Sequence, residues 1–154
     1  MYNKEEVKAY KTTFWSGFKV YMSRTRSAAG YRMNWLNYPS GIKFIHIRTD
    51  ADETGARFCF DIQAKDEGVR AVFWEQMQEL RTVMESEMGT DGIWTEDCHS
   101  DAVPHFSRIS WELKGVSIFN PEDYSEIFAF LEDRLVHFDA FYQDFKDILV
   151  NLAS

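Results

Sequence analysis

The chain has 154 residues, of which 45% are hydrophobic and 27% charged, a globular composition that excludes a disordered protein. This length suits one domain with a substantial core, so we expect a single domain over residues 1–154. The formal net charge of −8 is unevenly spread: residues 1–60 carry +5 (ten Lys/Arg, five Asp/Glu) and residues 61–154 carry −13 (seven Lys/Arg, twenty Asp/Glu). Such an asymmetry favours contact with a polyanion or association through complementary surfaces.

Apolar residues at steps of three and four predict an amphipathic helix near the N-terminus. They run from Val7 through Phe14 and Phe18 to Met22, and the helix should fade near Arg26. The small residues that follow are typical of a connection rather than of a further helical turn.

A β-hairpin is predicted next, with strands at 42–49 and 56–64 and a turn at 50–55. The second strand alternates between apolar and polar residues, so one face should be buried and the other left to solvent. Symmetrical closure places Ile47 opposite Phe58 on the buried face. Five residues of that face are predicted to be buried: Ile45, Ile47, Phe58, Phe60 and Ile62.

The third predicted element is a single helix that begins after the cap Asp66 and ends at Gly89. Two short strands follow at 93–95 and 105–113, separated by an acidic loop. The helix and strands repeat the order of the preceding elements, and Phe73-Trp74 echoes Phe14-Trp15. An αββ duplication is therefore a hypothesis.

The last predicted element is a long helix that opens at Asn120-Pro121 and keeps an apolar 4-3-4-3 spacing from Tyr124 to Leu152. Four heptads are compatible with a coiled coil, but the wide aromatic stripe favours a helix lying on a sheet. This helix should be roughly 45 Å long, which is longer than a compact domain of this size can cover. Intramolecular packing alone and a homodimer both remain open. The candidate dimer interface consists of Phe138, Tyr142, Phe145 and Leu149.

The complete order αββαββα predicts an α+β fold in which an antiparallel sheet is packed by three helices in two layers. The first residues lack the apolar core of a signal peptide, and no apolar run reaches the roughly 20 residues that span a bilayer. Two cysteines, Cys59 and Cys98, are too few for a disulfide framework. We therefore expect a soluble, cytoplasmic protein that does not contact membranes.

Residues 7–49 contain no Asp or Glu but carry eight Lys/Arg and nine aromatic residues. Cations that neutralise phosphates and rings that stack on bases are typical of nucleic-acid binders. Many of these rings also have the spacing of core residues, so plain packing is the competing interpretation. The candidate binding residues are Arg24, Arg26, Tyr31, Arg32, Trp35, Tyr38, His46 and Arg48. A pocket where Trp35, Tyr38, His46 and Arg48 converge would instead favour a small-ligand-binding protein or an enzyme.

Soft ligands for zinc, or a Cys–His nucleophile pair, could come from the hairpin and the acidic loop. His46 and Cys59 should be cross-strand neighbours with Asp61 next to them, and Cys98-His99 lies in the loop. Their spacing matches no zinc motif, and no oxyanion feature accompanies them. We therefore predict no metal site, no cofactor and no catalytic residue.

The segment 60–65 resembles the end of a PD-(D/E)xK nuclease core, in which a carboxylate or amide two residues before a Lys holds Mg²⁺. The neighbouring strand would have to supply an acid opposite Gln63. The inferred register places Ile42 there, so the geometry argues against a nuclease.

The run YRMNWLNYPSG at 31–41, preceded by Phe14-Trp15, resembles a bacterial family of uncharacterised domains. Its closing aromatic helix is matched by IFAFLEDRL at 127–135 and FDAF at 138–141. The resemblance covers roughly residues 10–150. Members occur alone or at the C-terminus of proteins whose N-terminal part is restriction-endonuclease-like. The resemblance therefore implies a link to nucleic-acid processing or defence, and it implies no catalytic residues.

Overall fold

The computed structural model describes residues 2–154 as an α+β fold with one four-stranded antiparallel sheet. This confirms the predicted fold class. Short 3-10 helices at Trp35–Asn37 and Pro121–Asp123 precede β1 and α4. In chain order the main elements are α1 (Lys4–Met22), β1 (Ile45–Ala51), β2 (Gly55–Ile62), α2 (Glu67–Glu79), α3 (Arg81–Met88), β3 (Ile93–Cys98), β4 (Phe106–Lys114) and α4 (Tyr124–Ala153).

The strand order of the sheet is β1-β2-β4-β3, so two hairpins meet through the antiparallel pair β2–β4. This order is symmetrical about that pair, as an αββ duplication requires, although the duplication itself stays a hypothesis. One face of the sheet is apolar and lies against α4 and α2. The other face is lined by polar and charged side chains, including His46, Arg48, Asp61 and Arg108, and the 3-10 helix Trp35–Asn37 lies beside it at β1.

The predicted register of the first hairpin is wrong by two residues, because Ile47 pairs with Phe60 rather than with Phe58. The Asp52 carboxylate accepts hydrogen bonds from the Thr54 and Gly55 backbone amides, which centres the turn one residue later than expected. A shift of two residues keeps every side chain on its face. The prediction of five buried apolar residues on that face is therefore confirmed.

The predicted helix from Asp66 to Gly89 is interrupted at Leu80, whose backbone leaves the helical region (φ −90°, ψ 1°). Leu80 is 8% exposed, and its amide donates to the carbonyls of Gln76 and Met77. The interruption lets α2 pack on the sheet while α3 packs on α4. The single-helix prediction is wrong because tertiary packing, rather than local periodicity, decides where the chain bends.

The helix ends also differ from the predictions. Helix α1 ends at Met22, before Arg26, and begins with a capping box between Asn3 and Glu6. Asn120 makes no side-chain cap, because residues 121–123 form a 3-10 turn before α4. Helix α4 spans 30 residues and packs on the sheet and on the other helices, which confirms the helix-on-sheet interpretation. None of the helices in residues 2–154 combines the length and hydropathy needed to cross a membrane.

Candidate nucleic-acid interface

The connection between α1 and β1 is anchored to α4 by one buried carboxylate. Asp139 is 1% exposed and lies within the aromatic stripe of α4. It accepts hydrogen bonds from the Ser27 hydroxyl (3.0 Å), the Ala28 amide (2.6 Å), the Tyr38 hydroxyl (2.6 Å) and the Gln143 amide (3.0 Å). The sequence analysis did not single out Asp139. An acidic residue among apolar ones does not reveal which groups, distant in sequence, will donate hydrogen bonds to it.

Two cations face each other at the tip of this connection. Arg26 and Arg32 form an isolated antiparallel bridge, closed by a tight turn in which Gly30 adopts φ +87°. Residues directly opposite in such a bridge project from the same side and interact. Both side chains are exposed, and like charges at opposed positions repel each other. An anion bound between them would relieve that repulsion.

The aromatic residues of the connection divide into a buried set and one exposed ring. Trp35 is 3% exposed and donates its indole N–H to the Thr25 carbonyl, while Tyr38 is 5% exposed. Burial and the hydrogen bond to Asp139 raise the pKa of Tyr38. Both residues are core, so predicting them as ligand-stacking rings was wrong. Tyr31 keeps 46% of its surface exposed, beside Arg32 in the chain.

Two adjoining concavities form what we call the basic groove, which runs from α1 to the polar face of the sheet. The first, of about 500 Å³, is lined by Lys19, Arg32 and Trp35 among others. The second, of about 380 Å³, is lined by three arginines. Leu36 and Asn37 line both concavities and join them. The arginines of the second concavity are Arg48, Arg57 and Arg108.

The sheet half of the groove is built around a buried carboxylate. Asp61 is fully buried and accepts two hydrogen bonds from Arg108, at 2.7 and 2.8 Å. Arg48 approaches the same carboxylate at 3.5 Å. The hydrogen bonds that Arg108 donates to the Asp61 carboxylate raise the pKa of Arg108 further above its ordinary value. The sequence placed Asp61 on a solvent-exposed face; it is buried because it pairs with an arginine from β4.

The remaining cations of the groove differ in their partners. Arg57 pairs with Asp52 at 2.8 Å and with Asp50 at 3.5 Å. Within residues 2–154, four cations at the α1 half of the groove make no ion pair: Lys19 and Arg32, which line it, and Arg24 and Arg26, which are chain neighbours of the lining residue Thr25. The excess positive charge of the groove therefore lies at its α1 end.

His46 and Cys59 are not the neighbours that the sequence predicted. In the observed register His46 lies opposite Asp61, and Cys59 lies opposite Arg48. Burial lowers the pKa of His46, so the imidazole is neutral at pH 7. Burial raises the pKa of the Cys59 thiol to about 12, which keeps it protonated and unreactive. These two residues therefore do not form a Cys–His nucleophile pair.

An enzyme or a small-ligand-binding protein would be favoured by a pocket in which Trp35, Tyr38, His46 and Arg48 converge. Trp35 lines the first concavity and Arg48 the second, while Tyr38 packs against Phe138 in the core. His46 is half-buried on the polar face of the sheet. These four residues therefore do not meet in one pocket.

Three of the four candidate interface residues belong to the core of the single chain. Phe138, Tyr142 and Leu149 are at most 1% exposed, and the Tyr142 hydroxyl donates to the Ser40 carbonyl. They have no surface to offer a partner, so placing them at a dimer interface was wrong. Phe145 is half-buried and stacks on Phe141.

Of the possible zinc ligands that the sequence suggested, His99 belongs to a group with spacing suited to a metal ion, whereas His46, Cys59, Asp61 and Cys98 do not. Within residues 2–154, the group of His, Cys and acidic side chains with spacing suited to a metal ion is Asp97, His99 and His105. All three are exposed and lie at or beside the loop between β3 and β4.

Comparison with known proteins identifies a family for this chain. No curated protein matches the chain, and no solved structure matches it. One family model, described as a domain of unknown function and designated DUF4268, matches residues 10–146. This match covers most of the chain, including the larger part of α1, the whole sheet and most of α4. The chain therefore belongs to the DUF4268 family.

Proposed function

We propose that this domain is a non-catalytic adaptor that binds single-stranded nucleic acid along the basic groove. The observation that carries the proposal is the row of cations along two joined concavities, with the unpaired ones gathered at the α1 end. Cationic grooves that follow a phosphate backbone, with exposed rings for stacking, are the usual means of binding single strands. Tyr31 supplies an exposed ring beside the opposed pair Arg26 and Arg32.

The net charge of −8 does not prevent such binding. At physiological ionic strength charges separated by more than about 8 Å are largely screened. A phosphate in the groove therefore interacts mainly with the nearby cations. The resemblance to domains that accompany restriction-endonuclease-like modules supports a role in nucleic-acid processing or defence.

The proposal predicts that charge reversal at the α1 end of the groove removes most of the binding. A chain carrying Arg24→Glu, Arg26→Glu and Arg32→Glu should lose most of its affinity for single-stranded DNA and RNA, because its uncompensated cations are replaced by acids. Fluorescence anisotropy with labelled oligonucleotides at about 50 mM salt measures the effect. All three side chains are exposed, so the variant should stay folded.

A matched control separates local contacts from the change in net charge. Lys8, Lys65 and Lys114 are exposed, and none of them lines either concavity. Replacing all three by Glu changes the net charge equally and should leave most of the affinity in place. Equal loss in the two triple variants, or binding retained by the arginine variant, would overturn the proposal.

We further propose that the domain self-associates through the C-terminal end of α4, since that end keeps apolar surface exposed. Ile148 and Leu152 are 41% and 38% exposed, and with Phe145 they lie on one side of the helix at spacings of three and four. This stripe replaces the buried residues that the sequence had suggested for an interface.

The self-association proposal predicts a dimer that two surface changes dissociate. The wild type should sediment as a dimer at tens of micromolar, roughly the range in which specific but modest interfaces are populated. Ile148→Glu with Leu152→Glu should give a folded monomer, because neither residue is in the core. Val20→Glu is the control, since Val20 is apolar and 73% exposed but lies on α1. A wild type that is monomeric at this concentration contradicts the proposal.

A further inference from the structure

Two histidines and one aspartate meet at the edge of the sheet that is formed by β3. A register shift between Thr95 and Cys98 interrupts the pairing of β3 with β4, and bulges of this kind redirect side chains. Mutual hydrogen bonds between Ser100 and Val103 then turn the loop back on itself. As a result the rings of His99 and His105 lie 4.7 Å apart.

The distances within this cluster suit a metal ion. The Asp97 carboxylate presents Oδ2 to His99 Nε2 at 3.3 Å and Oδ1 to His105 Nδ1 at 3.3 Å. Ligands bound to tetrahedral Zn²⁺ at about 2.0–2.1 Å lie roughly 3.3 Å from one another. One ligand atom from each of the three residues lies within 4.8 Å of the other two.

The orientation of His99 gives an independent argument. His99 Nδ1 lies 2.7 Å from the Pro104 carbonyl oxygen, an acceptor, so this nitrogen carries the proton and donates it. In the neutral ring Nε2 then presents a lone pair to the Asp97 carboxylate. Two acceptors facing each other at 3.3 Å repel, and a cation bound between them would relieve that repulsion. Donation from the other ring nitrogen to a backbone carbonyl is also how metal-ligating histidines are commonly held.

We propose that Asp97, His99 and His105 form a site for a divalent transition-metal ion of the Zn²⁺ type. Imidazole nitrogens and one carboxylate favour Zn²⁺, Co²⁺ or Ni²⁺ over Mg²⁺, which prefers oxygen ligands. Three protein ligands leave at least one coordination position for water or for a further ligand. The site is separate from the basic groove, because none of its residues lines either concavity.

Titration of the chelator-treated protein with Zn²⁺ or Co²⁺ alone tests the site. Calorimetry should give one ion per chain, and long-range ¹⁵N–¹H spectra should show shifts at Nε2 of His99 and Nδ1 of His105. His99→Gln and His105→Gln should each weaken binding at least about tenfold. Mg²⁺ should compete poorly, since the site offers two nitrogens.

Two control variants address other ligands in the chain. His137 also lies between carboxylates, those of Glu87 and Asp133, so His137→Gln tests a histidine in a similar setting. Cys98→Ser tests the thiol next to the site. Both variants should bind like the wild type. No binding at about 100 µM Zn²⁺, or binding that only Cys98→Ser removes, overturns the proposal, as do unchanged resonances of His99 and His105.

Discussion

Replacing Asp139 by alanine is expected to lower the free energy of unfolding by about 3–5 kcal/mol, since buried donors that lose a charged acceptor each cost about 1–3 kcal/mol. The change removes the acceptor of the Ser27 hydroxyl, the Ala28 amide and the Tyr38 hydroxyl together. Urea denaturation measures the loss. Asp144→Ala is the control, because Asp144 is exposed on the same helix and its replacement should change stability by less than about 0.5 kcal/mol.

A double-mutant cycle makes this prediction specific to the anchor. Tyr38→Phe removes one hydroxyl and keeps the ring, so it should destabilise the wild type measurably. In the Asp139→Ala background the same change should cost little, because the hydroxyl has already lost its acceptor. Additive effects, or a loss below about 1 kcal/mol for Asp139→Ala alone, would show that this carboxylate does not hold the connection in place.

Asp61→Asn is the second change with a large expected effect, a loss of about 2–4 kcal/mol. Removing one partner of a buried ion pair leaves the other charge uncompensated, at a cost of about 3–5 kcal/mol when both are buried. The expected loss in the free energy of unfolding is smaller here, because the Arg108 side chain is 33% exposed and solvent screens its charge. Asparagine keeps the volume, so no cavity contributes. Asp50→Asn, at a carboxylate that is 63% exposed, is the control and should be nearly neutral.

The Asp61 change also bears on function, because stability and binding should move in opposite directions. Arg108 and Arg48 lose a neutralising carboxylate at the sheet end of the groove. Affinity for single-stranded nucleic acid should therefore rise in the folded variant, measured well below its unfolding midpoint. Unchanged binding by the folded variant would indicate that nucleic acid does not reach this half of the groove.

The fold was predictable from periodicity, but the burial of the carboxylates Asp61 and Asp139 was not. Alternation along β2 identified its buried face even though the predicted register was wrong, since a two-residue shift preserves the faces. Whether a carboxylate is buried depends instead on partners that are distant in sequence. Asp61 is 47 residues from Arg108, and Asp139 is 112 residues from Ser27.

The burial of the aromatic residues between α1 and β1 could not be predicted from the sequence either. Trp35 and Tyr38 lie in a segment without helical or strand periodicity, so their burial left no pattern in the sequence. Their polar ends are satisfied by the Thr25 carbonyl and by Asp139, which only the folded chain brings near. The acid-free composition did identify the arginines that remain exposed at the groove.

The dependence of wild-type affinity on salt concentration tests the central claim most directly. Each phosphate neutralised on a single strand contributes about 0.7 to the slope of log affinity against log salt, so the unpaired cations predict a slope of about −2 to −3. The triple arginine variant should retain only a small part of that slope if it binds at all. A wild-type slope near zero, or no binding at about 50 mM salt, would contradict nucleic-acid binding in the basic groove.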